Sequence, residues 1–378
     1  MNHNNRFSSE REIPDHEKKL EEILNNIRPV DETAREAARA RQARLAKPPG
    51  SLGVLEDISV QVAGITGKVF NRLENRALLV FCADNGVVAE GVSCAPESVT
   101  LKQAVNLANG VTGAGVLAKA AGCAVYVYDV GINGDVDCGG VADRKITRGT
   151  KNIAQGAAMT RAQAARALLI GFDAASEVIE KGTKIIGAGE LGIGNTTTSA
   201  AVLSALTGRA PAETAGRGGG LTDEGMARKL KVIETALEVN KPDGNDVLDV
   251  ISKVGGYDIA AMAGAFIGAA CMRTPAVADG FISMVSALCA VRMAPRVREY
   301  IIASHSSCER GYRIAAEELG VEPMLDLRMR LGEGSGCPLA MLLADHACRV
   351  LNEMATFDEA GIDDGYLDAI RDTERKSE

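Results

Sequence analysis

After a polar opening, apolar positions recur at helical spacing. Leu20, Ile23, Leu24 and Ile27 fall at i, i+3, i+4 and i+7, which predicts an amphipathic helix. Asp31 stands where an N-cap would open an Ala/Arg-rich helix running to about Leu45, and Lys47-Pro48-Pro49-Gly50-Ser51 breaks it. Leu55, Ile58, Val62 and Ile65 mark a third helix. No strand pattern occurs in this opening. It is expected to pack as a small helical unit against the chain's C-terminal helices or a partner subunit.

From Ala77 the pattern changes. Ala77-Leu78-Leu79-Val80-Phe81-Cys82-Ala83 is an apolar run of strand length ending in Asp84-Asn85-Gly86, and Val125-Tyr126-Val127-Tyr128 ends in Asp129-Val130-Gly131. Lys184-Ile185-Ile186 leads into Gly187-Ala188-Gly189-Glu190, and Tyr300-Ile301-Ile302-Ala303 into Ser304-His305-Ser306-Ser307. Helical patterns follow, such as Arg161 to Ile170 and Thr197 to Leu206. Wholly apolar strands separated by helices predict an α/β fold, a Rossmann-like parallel sheet covered on both faces. Ligands of such sheets sit beyond the carboxyl ends of the strands, where the polar and glycine-rich clusters repeatedly fall. A last helix over Pro338 to Phe357 is expected to turn Leu342, Leu343, His346, Val350 and Met354 inward. The expected organisation is a loose start (1–14), a helical segment (15–66), an α/β domain (67–337), helices completing the small domain (338–366) and a charged tail (367–378).

Composition narrows the function classes. The chain is 46% apolar and 24% charged, with 41 glycines and no Trp, which suits a large α/β core with many tight turns. A net charge of −8 argues against general affinity for nucleic acid or anionic membrane, though not against a local phosphate pocket. Nine cysteines without CxxC spacing indicate neither a disulfide framework nor a zinc site. With no leader-like h-region and no long apolar run, a soluble cytoplasmic protein is expected.

Two loops carry candidate chemistry. Arg330-Leu331-Gly332-Glu333-Gly334-Ser335-Gly336 places one carboxylate in a glycine-rich turn with no partner adjacent in sequence, the pattern of a general base. Gly189-Glu190-Leu191-Gly192-Ile193-Gly194-Asn195-Thr196-Thr197 opens a helix, where backbone N–H groups and hydroxyls favour an anion. Gly187-x-Gly189-x-x-Gly192 also matches the dinucleotide fingerprint, but the acidic residue expected about 20 positions on is replaced by the loop-like Arg209-Ala210-Pro211-Ala212-Glu213. No Lys precedes Thr196, so the Walker pattern is absent. Gly216-Arg217-Gly218-Gly219-Gly220 is a second anion-friendly loop, followed by a helix bearing Arg228 and Lys229. His305 follows a strand and is the histidine placed for a site; no HExxH or GxSxG occurs.

Taken in order, Lys47–Gly53, Ala83–Ser93, Gly189–Thr197, Gly255–Gly264, Asp279–Ile282, Ser304-His305 and Arg330–Gly336 resemble the nicotinate-nucleotide–dimethylbenzimidazole phosphoribosyltransferases. The resemblance implies transfer of a 5-phosphoribosyl group from nicotinate mononucleotide to dimethylbenzimidazole or a related base, without cofactor or metal, in a homodimer. It implies Glu333 as catalytic base and Glu190 as its supporting carboxylate. It places Gly192, Gly194, Asn195, Thr196, Thr197, Arg217 and Lys229 around phosphate and ribose. Asp84, Ser93, Gln103, Ser304, His305, Leu331 and Gly332 are expected around the base. The chain departs from the family at Asn85, where His is common, and at Gly219, where Thr is usual. A dinucleotide-dependent oxidoreductase and a non-catalytic nucleotide-binding protein remain as alternatives.

Overall fold

In the computed structural model, which describes residues 13–367, the apolar runs form one six-stranded sheet. Its strands are β1 (Arg76–Ala83), β2 (Cys123–Gly131), β3 (Val141–Asp143), β4 (Ile185–Leu191), β5 (Ala276–Ala278) and β6 (Ile301–Ala303). They lie in the order β3-β2-β1-β4-β5-β6 and every pair is parallel. From Ala77 onward β1 is apolar because both of its faces are covered. Ala77, Leu79, Phe81 and Ala83 belong to one core cluster, and Leu78, Val80 and Cys82 to the other. Alternation of side chains along a strand produces this split.

The first face carries the helices Arg161–Glu180 and Tyr257–Cys271, which approach closely through small residues. A Cβ on Gly171 would lie 1.7 Å from the Ala261 carbonyl oxygen, and one on Gly264 would lie 1.8 Å from that of Leu168. On the other face, the helix Cys337–Glu353 sets Ala340, Met341, Ala344 and Ala347 against the sheet. The early helices are Ile13–Asn25, Glu32–Arg44 and Val54–Thr66. Asp31 caps the second, its side chain accepting from the Ala34 N–H at 2.9 Å. Val54–Thr66 packs on Cys337–Glu353, and the Arg41 Nε donates to the Leu351 carbonyl at 2.7 Å, so the two ends of the chain meet. Ile13–Asn25 instead lies against Arg161–Glu180.

Two strands are not legible in the sequence, and two expectations about the last helix need correction. β3 and β5, which the sequence does not reveal, are three-residue strands of small or polar residues, Val-Ala-Asp and Ala-Val-Ala, and lack the bulky apolar run that marks the equally short β6. The last long helix ends at Glu353 rather than near Phe357. Its buried stripe is Ala340, Met341, Ala344, Ala347, Cys348 and Leu351; Leu342, Leu343, Val350 and Met354 are half-buried, and His346 is exposed. Small side chains permit close approach to the sheet, so the helix is rotated away from its bulkier apolar row. Most of the expected loose start and nearly all of the charged tail lie outside the described residues, although the first helix already begins at Ile13.

Candidate active site

Connections leave β1 and β4 in opposite directions along the sheet, so the switch point lies between their carboxyl ends. A cleft of about 210 Å³ opens there. The two glycine-rich loops meet at its floor. A Cβ on Gly189 would lie 2.7 Å from the Gly334 backbone, and one on Gly332 would lie 2.5 Å from Glu190 Oε1. Glycine at these positions lets the end of β4 touch the later loop directly. Gly332, Glu333 and Gly334 have φ of 80°, 61° and 76°, so Glu333 is a non-glycine residue held in the left-handed region. Such backbone costs on the order of 1–3 kcal/mol and persists where its surroundings enforce it.

That conformation aims the buried Glu333 carboxylate at the start of the helix Gly113–Ala120. Its Oε2 accepts from the Ala114 N–H at 3.1 Å and its Oε1 from Gln103 Nε2 at 3.4 Å. A backbone N–H at a helix N-terminus and a neutral amide orient the carboxylate. Leu331, exposed at the rim, lies over Gly113.

Glu190 is buried beside it, its Oε1 accepting from the Glu333 N–H at 3.4 Å. Its Oε2 accepts from Asn195 Nδ2, which also donates to Asp258 Oδ2 at 3.1 Å. Burial first, then repulsion from Asp258, pushes the Glu190 carboxyl up to about 8. Burial likewise raises Asp258, to about 6.

At the other end of the cleft, Gly194 (φ 92°) opens the helix Asn195–Thr207 with no side-chain cap, leaving the N-terminal dipole facing the cleft. Lys229 reaches the same spot from the helix Asp223–Asn240, donating to Thr196 Oγ1 at 2.8 Å and to the Gly216 carbonyl at 3.0 Å. Burial lowers its ammonium to about 8, partly opposed by the Glu309 carboxylate. His305 stands on the wall beyond β6, its Nε2 3.5 Å from Asp279 Oδ1, which accepts from the Gly336 N–H at 2.6 Å. Burial disfavours the imidazolium, yet the Asp279 carboxylate outweighs it and raises the His305 pKa. Phe281 and Ile282 supply apolar wall. Among the described residues, no group of three or more His, Cys, Asp or Glu is placed to hold a metal ion.

A family model described as a phosphoribosyltransferase matches residues 27–362. The nicotinate-nucleotide–dimethylbenzimidazole phosphoribosyltransferase of Clostridium perfringens (strain 13) is 49% identical over 355 residues, covering 94% of this chain and 98% of that protein. The chain belongs to the nicotinate-nucleotide–dimethylbenzimidazole phosphoribosyltransferase family. The Ruminiclostridium cellulolyticum protein of the same name is 47% identical over 344 residues, covering 91% of this chain and 98% of its own. The crystal structure of the Thermus thermophilus phosphoribosyltransferase superposes with a TM-score of 0.84 at 43% identity, covering 89% of this chain and all of that one.

Within this phosphoribosyltransferase fold, the expected site residues separate into two groups. Glu190, Gly192, Gly194, Asn195, Thr196, Ser93, His305, Leu331 and Gly332 line the cleft, with Lys229 bonded to Thr196 behind it and Glu333 and Gln103 bonded together beside it. Four others stand apart. Arg217 is exposed and ion-paired with Asp223, and Thr197 is buried within its helix. Asp84 is buried outside the lining, its Oδ2 accepting from the Asn133 N–H at 2.8 Å, and Ser304 donates to the Asp279 carbonyl at 3.0 Å. Of the two departures, Asn85 is wholly buried and accepts from Thr198 Oγ1 at 3.3 Å, whereas Gly219 lies on the rim. Sequence reasoning gives no role to Asp258, Asp279 or Glu309. Asp258 follows a Gly-Gly-Tyr turn and Asp279-Gly280 ends an apolar triplet, signals that mark them only once β5 and the helix beginning at Tyr257 are recognised.

Proposed function

We propose that this protein moves the 5-phosphoribosyl group of nicotinate mononucleotide to a ring nitrogen of dimethylbenzimidazole or a related base. The products are the α-ribosyl nucleotide and nicotinate. The observation that carries the reading is the buried Glu333 carboxylate, held by the Ala114 N–H and Gln103 beside a switch-point cleft. In the nucleotide the glycosidic nitrogen is cationic, so nicotinate departs without being protonated and the transfer needs no general acid. Its requirements are a phosphate anchor, an apolar slot and one base.

The open start of the helix Asn195–Thr207, with Thr196 and Lys229, suits the phosphate. The wall of Ser93, Phe281, Leu331 and His305, with Gln103 nearby, suits the base. Glu333 takes the benzimidazole N–H proton as the other ring nitrogen attacks C1′ from the face opposite nicotinate, inverting the configuration. Asp84, Ser304, Thr197 and Arg217 then act indirectly: Asp84 and Ser304 by shaping loops under the cleft, Thr197 by packing inside the helix whose start faces it, and Arg217 by ordering the glycine loop through Asp223. We assign the protein a homodimeric state and a cytoplasmic location on the family resemblance; no helix among the described residues is long and apolar enough to cross a membrane.

Incubating the protein with nicotinate mononucleotide and a panel of benzimidazole, purine and phenolic acceptors, followed by chromatography, tests the reading. An α-nucleotide and free nicotinate should accumulate in equal amounts with at least one azole. Nicotinamide-cofactor turnover, or nucleotide binding without nicotinate release, would instead favour the oxidoreductase or the non-catalytic binder.

A further inference from the structure

Asn195 occupies an unusual position: its single amide nitrogen donates one hydrogen to Glu190 Oε2 and the other to Asp258 Oδ2, at 3.1 Å for the latter. Both carboxyl groups are buried; Glu190 lines the cleft, whereas Asp258 sits behind Asn195, away from it. The cationic side chains around the cleft are turned elsewhere, His305 to Asp279, Lys229 to Thr196 and Gly216, and Arg330 to Gly218. Two buried carboxylates tied to one neutral amide cannot both remain charged without a large desolvation and repulsion cost.

We propose that Asp258 is a positioning residue for Glu190: through the Asn195 carboxamide it fixes the Glu190 carboxyl group, and by its own charge it keeps that group protonated and neutral toward the cleft. The asymmetry of the pair follows from their elements. Asp258 lies in the first turn of the helix Tyr257–Cys271, and its Oδ1 accepts from the Ile259 N–H at 3.0 Å, so the helix dipole favours charge there. Glu190 ends a strand and has no such dipole. The groups that act on it are Asp258 and, more weakly, Asp279, both opposing ionisation, while the Asn195 and Glu333 N–H groups favour it. On β1 the neighbouring Cys82 thiol is itself driven upward by burial and then by Asp129, Glu190, Asp258 and Asp84, and Asn85 beside Asp258 carries no charge. Burial raises both carboxyls and Asp258 raises Glu190 further, so the pair retains a proton, and the helix start at Asp258 leaves that proton on the member that faces the cleft.

The consequence concerns the substrate. Nicotinate mononucleotide brings a phosphate and a carboxylate into a cleft that already adjoins Glu333, Asp279 and Glu309. A neutral Glu190 removes one repulsion and supplies an O–H donor, and this advantage is lost as pH rises through its folded-state pKa.

Infrared titration of the protonated-carboxyl C=O band, assigned to Glu190 by its loss in Glu190→Gln, tests the proton directly. The wild-type band should persist at neutral pH and titrate near 8. Asp258→Asn should lower the midpoint by about one unit or more, because a like charge is removed. Asn195→Ala should raise it, because an N–H favouring the anion is lost. No Glu190 band at pH 7, or a midpoint unmoved in Asp258→Asn, would overturn the proposal; Asp258→Ser removes the same charge should Asp258→Asn not fold. A kinetic arm rests on the nucleotide reading of the cleft. KM for nicotinate mononucleotide should rise at lower pH in Asp258→Asn than in wild type, and that difference should vanish in a Glu190→Gln background. The Lys229 limb is common to all these variants and cancels in the comparison. Failure of turnover altogether would count against the functional reading and leave the infrared result standing on its own.

Discussion

At the residue scale, the cleft holds three ionisable groups in three different environments. Glu333 is oriented by a helix-start N–H and a neutral amide, Glu190 is crowded by a second carboxyl group, and Lys229 is buried against two oxygens. Glu333→Gln should lower kcat by about 10²–10⁴-fold, the usual worth of general-base assistance, while equilibrium binding of nicotinate mononucleotide changes little. Single-turnover kinetics with calorimetric binding would check both, and near-wild-type turnover would remove Glu333 from the mechanism. Lys229→Met should act on binding: loss of one charge-assisted hydrogen bond costs about 1.5–3 kcal/mol, so KM for the nucleotide should rise roughly 10- to 150-fold with a smaller fall in kcat. An unchanged KM would place the phosphate elsewhere. Both carboxylates are legible in the sequence because glycine-flanked acids have no local structural purpose. Asp258 is not, because its meaning depends on Asn195, 63 positions away.

At the element scale, capped helices and strands with a bulky apolar run are legible in the sequence, even the three-residue β6, whereas short strands of small or polar residues and tightly packed faces are not. β1 announces itself through an unbroken apolar run, and Asp31 through its capping position. β5 offers three residues, which become a strand only by pairing with β4 and β6. The apolar pattern misplaces the inward face of the helix Cys337–Glu353 because it weighs side-chain size rather than fit to a close sheet. The helix pair Arg161–Glu180 and Tyr257–Cys271 shows the same physics, since a methyl at Gly264 would run into the Leu168 carbonyl. Gly264→Ala should therefore destabilise the protein by about 1–3 kcal/mol, the usual cost of overpacking. The helix it displaces carries Asp258, so the Glu190 titration should shift as well. Urea denaturation and the infrared midpoint would report the two effects, and unaltered stability would mean that the helices do not approach as closely as described.

At the scale of the whole molecule, the cleft is assembled from distant parts of the chain: the turn at Ser93, the end of β4, the helix bearing Lys229, the loops after β5 and β6, and Leu331 to Glu333. The terminal helices join this assembly from outside, with Arg41 bonded to the Leu351 carbonyl. A ligand that bridges these segments binds the folded chain and not the unfolded one, so its binding energy adds to global stability. At a concentration about 100 times its Kd, nicotinate mononucleotide should contribute about 2.7 kcal/mol, visible as an upward shift in Tm. The phosphate-free nicotinate riboside at the same concentration should shift Tm far less, because the open helix start and Lys229 would have no anion to hold. Lys229→Met should narrow the gap between the two ligands. Equal shifts from nucleotide and riboside in the wild-type protein would show that the helix start at Asn195 is not the phosphate site, and the placement of the nucleotide along the cleft would have to be reversed.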